Sequence, residues 1–293
     1  MRIPREHRLG WLLSLPAVAA MAAVAAWPVL EAIRLSLYRY DLRFPDARRF
    51  VGLHNYLTVL GSPIWWHAVA STALITVASV SVELVLGMAL ALVMHRALVG
   101  RKTVRMAVLV PYGIITVVAA LAWRFAFDPT TGFVQGLGLL DRPWLGRSWS
   151  AFLVIIATEI WKTTPFMALL LLAGLALVPQ DALRAARVDG ATWWQRFVHV
   201  TLPLMKPAIA VALLFRTVDA IRIFDTVFVQ TRGALGTEPV SLVGYDTLLV
   251  SLNLGLGSAV SVLIFLGVIV VAAVFIKTLR VSLGATGAGG GRP

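Results

Sequence analysis

Asp181-Ala-Leu-Arg-Ala-Ala-Arg-Val-Asp189-Gly190-Ala191, then Thr192-Trp-Trp-Gln195 and Leu202-Pro203-Leu-Met-Lys-Pro207, form a polar, turn-broken insert between two hydrophobic runs. Asp181 follows Pro179 and suits a helix N-terminus, where a carboxylate offsets the positive end of the dipole and meets free N–H groups. Gly190 falls where that helix should stop, at a position that tolerates left-handed geometry. Thr192 with Gln195 three residues on makes a capping box, so a second helix starts at once. The first helix is expected to run about eight residues, roughly 12 Å. Its small Ala182, Ala185 and Ala186 would let another protein approach the backbone closely. A membrane-buried chain has little use for such an element on its cytoplasmic side unless something docks there.

The flanking composition is that of a bilayer protein. Hydrophobic residues make up 59% of the chain and charged ones 14%. Mean hydropathy is +0.85, whereas a soluble domain carries about 25% charged residues. Six apolar stretches reach the ~20 residues needed to cross a bilayer: 10–37, 67–94, 104–127, 149–178, 204–227 and 256–277. Backbone groups in hydrocarbon must be satisfied internally, so these spans are expected to be helices. The first is too long for the apolar core of a signal peptide, so its retention is expected. The predicted class is an all-α polytopic membrane protein with six transmembrane helices. Residues 1–9 form an N-terminal segment and 10–278 the transmembrane domain, which carries the insert at 179–203. Residues 279–293 are expected to be a flexible tail.

Arginine and lysine positions set the orientation. With the N-terminus inside, the cytoplasmic segments hold Arg2, Arg5, Arg8, Arg96, Arg101, Lys102 and Arg105. They also hold Arg184, Arg187, Arg196, Lys206, Lys277, Arg280 and Arg292, against Glu6, Asp181 and Asp189. The opposite loops hold Arg39, Arg43, Arg48, Arg49, Arg142, Arg147 and Arg232, nearly balanced by Asp41, Asp46, Asp128, Asp141, Glu238 and Asp246. Both termini are therefore expected in the cytoplasm. The net charge of +12 reads as a topology signal, and no soluble module interleaves bases with exposed aromatics as nucleic-acid binding requires.

There is no cysteine, hence no disulfide and no thiolate metal site, and the five histidines are scattered near span boundaries. No phosphate-binding loop, nucleophile elbow or paired-histidine zinc motif is present. No catalytic residue and no metal site is expected.

At the insert a resemblance becomes specific. Ala185-Ala186-x-x-Asp189-Gly190-Ala191, then Phe197, Leu202-Pro203 and Pro207, resembles the loop that marks membrane subunits of ATP-binding-cassette importers. Trp161-Lys-Thr-Thr-Pro165-Phe166 is similar to the carbohydrate branch of that family. So is Phe215-Arg216-Thr-Val-Asp219-Ala-Ile-Arg222-Ile-Phe224-Asp225, with Thr231-Arg-Gly233 after it. The likeness covers roughly 107–278, and among sugar permeases the fifth-span pattern is most like the trehalose/maltose type. It implies the type I importer permease fold, in the bacterial cytoplasmic membrane. It also implies that Asp181, Arg184, Ala185, Ala186, Asp189, Gly190 and Ala191 form a coupling helix seated in a cytoplasmic ATPase. The partners implied are a second homologous permease, two ATPase subunits and an extracytoplasmic binding protein. ATP and Mg would be bound by the ATPases and no cofactor by this chain. One departure stands out: the family's loop usually has Glu immediately before the two alanines, and here that residue is Arg184. Such transporters often pair two different permeases, so Arg184 reads as a mark of one half of a heterodimer. A neutral charge swap at a solvated rim is the alternative.

An ionisable group at bilayer depth costs at least ~2.5–3.5 kcal/mol unless paired or hydrated, so each is a candidate. Arg216, Asp219, Arg222 and Asp225 recur every three residues on the fifth predicted span, where neighbours can pair. Two readings stay open. They form an intrahelical ion ladder that also grips neighbouring helices, or Arg216 and Asp219 reach the cargo path while Arg222 and Asp225, nearer the outer mouth, make a structural pair. Trp161, Lys162 and Phe224 complete the candidate path. Glu159 beside Trp161, together with Glu83 and Arg124, offers further polar groups. Carboxylates and guanidinium groups bond sugar hydroxyls while aromatic faces cover C–H faces. The expected function is therefore half of the pathway of an ATP-driven sugar importer, for a disaccharide such as trehalose or maltose. The alternatives are a same-fold importer for a glycerol phosphodiester, polyol, amino acid or peptide, or an ion-coupled secondary carrier with internal repeats.

Overall fold

Apolar length decides where the long helices lie. The computed structural model describes residues 5–96, 101–136 and 143–287. Arg2, Asp141, Arg142 and Arg292 lie outside them. The helices are α1 (Arg5–Ser36), α2 (His54–Leu60), α3 (Pro63–Arg96), α4 (Arg101–Gly113), α5 (Thr116–Ala126), α6 (Phe133–Gly136) and α7 (Ser148–Ala176). After them come α8 (Gln180–Val188), α9 (Trp193–Arg196), α10 (Leu202–Ile221), α11 (Asp225–Gln230), α12 (Val240–Tyr245) and α13 (Leu254–Gly287). Among the described residues, five helices are long and apolar enough to cross a membrane, and a sixth span results if the bent pair α4–α5 counts as one. The last helix runs from Leu254 to Gly287.

Two of the predicted continuous spans are broken. The third, 104–127, is split between α4 and α5, which meet at 89°. Pro111 lies inside α4 without an N–H to donate, and Gly113 ends it. The fifth, 204–227, stops at Ile221, with Arg222 as its C-cap, and a new helix begins at Asp225. At its other end this span is longer than expected. A π-helical turn, Phe197–Thr201, joins α9 directly to α10, so the second helix of the insert is continuous with the membrane helix. Pro203 and Pro207 lie within the continuing helix, and neither has a backbone N–H to donate to it.

Packing divides the chain into two units, 1–66 with 243–266, and 67–242 with 267–293. In the first, two short strands, β1 (Tyr38–Arg39) and β2 (Arg49–Phe50), pair antiparallel, a small departure from an all-helical reading. Buried Asn55 ties this hairpin down, donating to the carbonyls of Ser36 and Tyr38 at 2.7 and 2.9 Å. Asp41 accepts from the Arg43 guanidinium and its backbone N–H, and those bonds lower its pKa to about 2.

The second unit holds the main apolar core. Met88 and Ala91 of α3, Met167, Leu171 and Leu175 of α7, and Met205 and Ala212 of α10 pack together. Small residues let these helices approach closely, as packing in a bilayer favours. A Cβ on Gly174 would collide with that of Ala208, and one on Gly87 would lie 2.7 Å from Met167 Cγ. Along α3, Thr72, Thr76, Ser79 and Glu83 recur on one face and are all buried. Thr72 Oγ1 accepts from the Val240 N–H at 3.0 Å and Ser71 Oγ donates to the Gly236 carbonyl at 2.8 Å.

Gly174→Val forces α7 and α10 apart and should cost about 1–3 kcal/mol, the usual range for overpacking. Denaturation of the purified protein in detergent checks this, with Gly113→Val, which meets nothing within 4 Å, as the control expected to cost less.

Candidate functional site

The insert folds as its capping residues dictate. α8 ends in a Schellman arrangement: Ala191 N–H donates to the Ala186 carbonyl at 3.0 Å and Gly190 N–H to that of Arg187 at 3.1 Å. Gly190 has φ +78°, and nothing lies within 4 Å of where a Cβ would stand, so it is the backbone angle that calls for glycine. The capping box is present, with Thr192 N–H donating to Gln195 Oε1 at 2.8 Å and Gln195 N–H to Thr192 Oγ1 at 3.4 Å. Arg196 adds a bond to the Ala191 carbonyl at 2.7 Å. No residue of α8 is buried. Leu183 leans on the core, while Val188 is 87% exposed. Arg184 lies 3.5 Å from Asp181, both strongly exposed, an ion pair worth ~0–1 kcal/mol.

The second locus is a cavity of about 500 Å³. It lies at both helix breaks: the turn 113–116 between α4 and α5 forms one side, and 222–226 between α10 and α11 another. Glu159, Lys162 and Thr163 of α7 and Asp219 of α10 complete the polar wall, with Tyr112 and Phe224 supplying aromatic surface. Irregular backbone at membrane depth is tolerated where it borders such a cavity. The Lys162 Nζ lies 5.6 Å from the centroid of the Tyr112 ring.

Behind this wall lies Arg216, 1% exposed. Its Nε and Nη2 donate to the two oxygens of Glu83 at 2.6 and 3.0 Å, a bidentate bond to a fully buried carboxylate. Nη2 also reaches Glu159 Oε2 at 3.1 Å, and Nη1 reaches Asp219 Oδ2 at 2.9 Å. The other Glu159 oxygen accepts from Thr226 Oγ1 at 2.5 Å. One guanidinium thus joins α3, α7 and α10, and through Glu159 it holds the start of α11. At its far end α11 is tied down by Gln230 Nε2 donating to Thr158 Oγ1 at 2.8 Å and by Arg124 Nη1 donating to the Val229 carbonyl at 2.8 Å.

Several sequence expectations change here. Arg216 does not line the cavity, while Asp219, Lys162 and Phe224 do. Trp161 is off the wall, its ring tilted against Trp123 with centroids 6.0 Å apart. Arg222 and Asp225 do not form the expected ion pair, because the helix that would have made them neighbours on one face ends between them; both line the cavity instead. The ladder is reduced to its first step, Arg216–Asp219, while the grip on neighbouring helices expected of it is made by Arg216 through Glu83 and Glu159. The sequence reading missed Tyr112, the turn at 113–116 and Thr226; Pro111 and Gly113 were the available signal.

Residues 83–280 match the family model for binding-protein-dependent transport system inner membrane components. The chain belongs to that family. It is thus a multi-pass component of the inner membrane, within a transport system that depends on a binding protein, and not itself an enzyme. It is 54% identical over 272 residues to the trehalose transport system permease protein SugA of Mycobacterium tuberculosis, covering 93% of this chain and 89% of that one. It is 39% identical over 282 residues to the trehalose/maltose transport system permease protein MalF of Thermococcus litoralis, covering 94% and 95%. Among solved structures, a chain of a bacterial ABC transporter that imports the acidic polysaccharide alginate superposes with a TM-score of 0.79 at 22% identity, covering 94% and 96%. That likeness establishes the importer permease fold.

The Arg216 cluster predicts unequal costs. Glu83→Ala removes the bidentate acceptor from a buried guanidinium and should cost about 3–5 kcal/mol. Asp219→Ala acts at a side chain 70% exposed and should cost at most ~1 kcal/mol. Denaturation of the two variants side by side measures the difference; equal losses would refute Glu83 as the anchor.

Proposed function

We propose that this chain forms half of the translocation path of an ATP-driven importer for a neutral disaccharide of the trehalose or maltose type. The observation that carries the reading is the polar cavity of about 500 Å³ at the two helix breaks, in a chain 54% identical to a trehalose permease. A volume of that size falls in the usual range for small-molecule sites. Its carboxylates accept hydrogen bonds from hydroxyls, and Tyr112 and Phe224 offer faces for C–H surface.

The remaining parts follow from the insert and the charge distribution. α8, capped at its end and free of buried residues, suits a groove in a cytoplasmic ATPase. Two such ATPases would bind ATP and Mg, and a binding protein would deliver cargo from outside. Both termini then lie in the cytoplasm. Arg184, in place of the family's usual glutamate, supports pairing with a second, different permease. Closure of the ATPases shifts the permease between states only through contacts that differ between those states, and α8 is where that difference is delivered.

Co-purification of an ATPase and a second permease with this chain is the first expectation. Ala186→Trp, which adds bulk on the small-residue face, and Gly190→Pro, whose ring fixes φ near −65° where +78° is needed, should both abolish uptake in proteoliposomes while the protein still inserts. Normal uptake by Ala186→Trp would count against docking through α8. Arg184→Glu should not improve coupling if Arg184 is adapted to its own partner.

A further inference from the structure

The same fold serves an importer of an acidic polysaccharide, so the backbone leaves the charge of the cargo undecided and side chains must decide it. Three carboxylates converge on one guanidinium: Glu83, Glu159 and Asp219 on Arg216. Two of them, Glu159 and Asp219, line the cavity; Glu83 and Arg216 do not. The guanidinium's planar fork is used on every side. Nε and Nη2 grip Glu83, Nη2 also holds Glu159, and Nη1 holds Asp219. Such a fork fixes the direction of each partner, which a lysine ammonium would not. The result is a pair of carboxylates set in place from behind: Asp219 is 70% exposed, while Glu159, 9% exposed and also accepting from Thr226, keeps only its second lone pairs for the cavity.

We infer that Arg216, without touching cargo, is a positioning residue for a charge filter. It holds Glu159 and Asp219 at the cavity wall so that the path accepts uncharged polyhydroxyl cargo and rejects anionic saccharides. This rests on the reading of the cavity as a cargo site. Ionised carboxylates are acceptors only. A sugar hydroxyl can donate to them, whereas a uronate or sulfonate brings a second acceptor and a like charge. Lys162 and Arg222 also line the cavity, but with Asp225 beside them the carboxylates of the wall outnumber its cations. Glu83 and Arg216 offset each other behind it. Rejection of this kind is how specificity is gained against a cargo of otherwise identical shape.

The test uses the assembly of both permeases and the ATPases in phosphatidylcholine nanodiscs, with the binding protein left out so that it cannot pre-select. Trehalose and its monouronate, in which one primary alcohol is oxidised to a carboxylate, are titrated separately by saturation-transfer NMR, which reads weak binding. The wild type should prefer trehalose by about ten-fold or more, the scale of one like-charge contact in a partly hydrated site. Asp219→Asn and Glu159→Gln should each narrow that ratio several-fold. Arg216→Lys keeps the charge but loses the fork, and should narrow it as well; should it fail to assemble, Glu83→Gln loosens the guanidinium from behind and must do the same. Equal wild-type affinity for the two saccharides, or an unchanged ratio in Asp219→Asn, would overturn the filter while leaving the cargo site standing. An unchanged ratio in Arg216→Lys or Glu83→Gln would overturn the positioning role. No trehalose binding to the wild type would overturn the cargo reading itself.

Discussion

Arg216 ties together what the lipid-facing surfaces cannot. In a bilayer, hydrocarbon tails are as apolar as leucine, so packing alone gives little preference for one helix arrangement over another. A guanidinium buried with two glutamates supplies that preference, because separating them at depth leaves charges with no solvent to replace the partner. The elements it joins are far apart in sequence, with Glu83 separated from Arg216 by 133 residues. The cavity wall, the start of α11 and the meeting of α3, α7 and α10 all rest on this contact. Around it, Gly87 and Gly174 allow the close approach that brings the charged groups within reach.

The two helix breaks and the cavity have one cause seen from two sides. A helix satisfies its own backbone; once it is interrupted, N–H and C=O groups need other partners. At 113–116 and 222–226 those groups border an open polar space, where water can serve them. Pro111 explains the first break locally. The second has no proline or glycine within 222–224. There the competing bonds are tertiary: Thr226 to Glu159, Gln230 to Thr158 and the Ser241 hydroxyl to the Ile223 carbonyl.

Local chemistry made the insert legible in the sequence. The capping box, the glycine stop and the short first helix are all decided by residues within a few positions of one another, and each stands where those residues put it. The long apolar helices were legible for a similar reason, since hydropathy summed over twenty residues leaves few alternatives. The cavity was legible only in part. Asp219, Lys162 and Phe224 were identifiable as polar or aromatic groups at depth, but the period of three from Arg216 to Asp225 presupposed an unbroken helix. Which carboxylate meets Arg216 depends on how three helices pack, and single-sequence spacing carries no record of that. Trp161 misled for the same reason: its neighbour Lys162 faces the cavity while its own ring turns to Trp123.

The π turn at Phe197–Thr201 has a mechanical meaning. Because it carries the helix from α9 into α10 without a loop, residues 193–221 form one rod, about 43 Å long at 1.5 Å per residue. A loop at that point would have absorbed movement of the insert as slack. A continuous helix, even with Pro203 and Pro207 in it, leaves less slack: over that length a tilt of about 5° at one end corresponds to about 4 Å at the other. That is more than the length of a hydrogen bond. Arg216 sits near the far end, gripping helices that are not part of the rod. Its bonds to Glu83 and Glu159 clamp that end of the rod to α3 and α7.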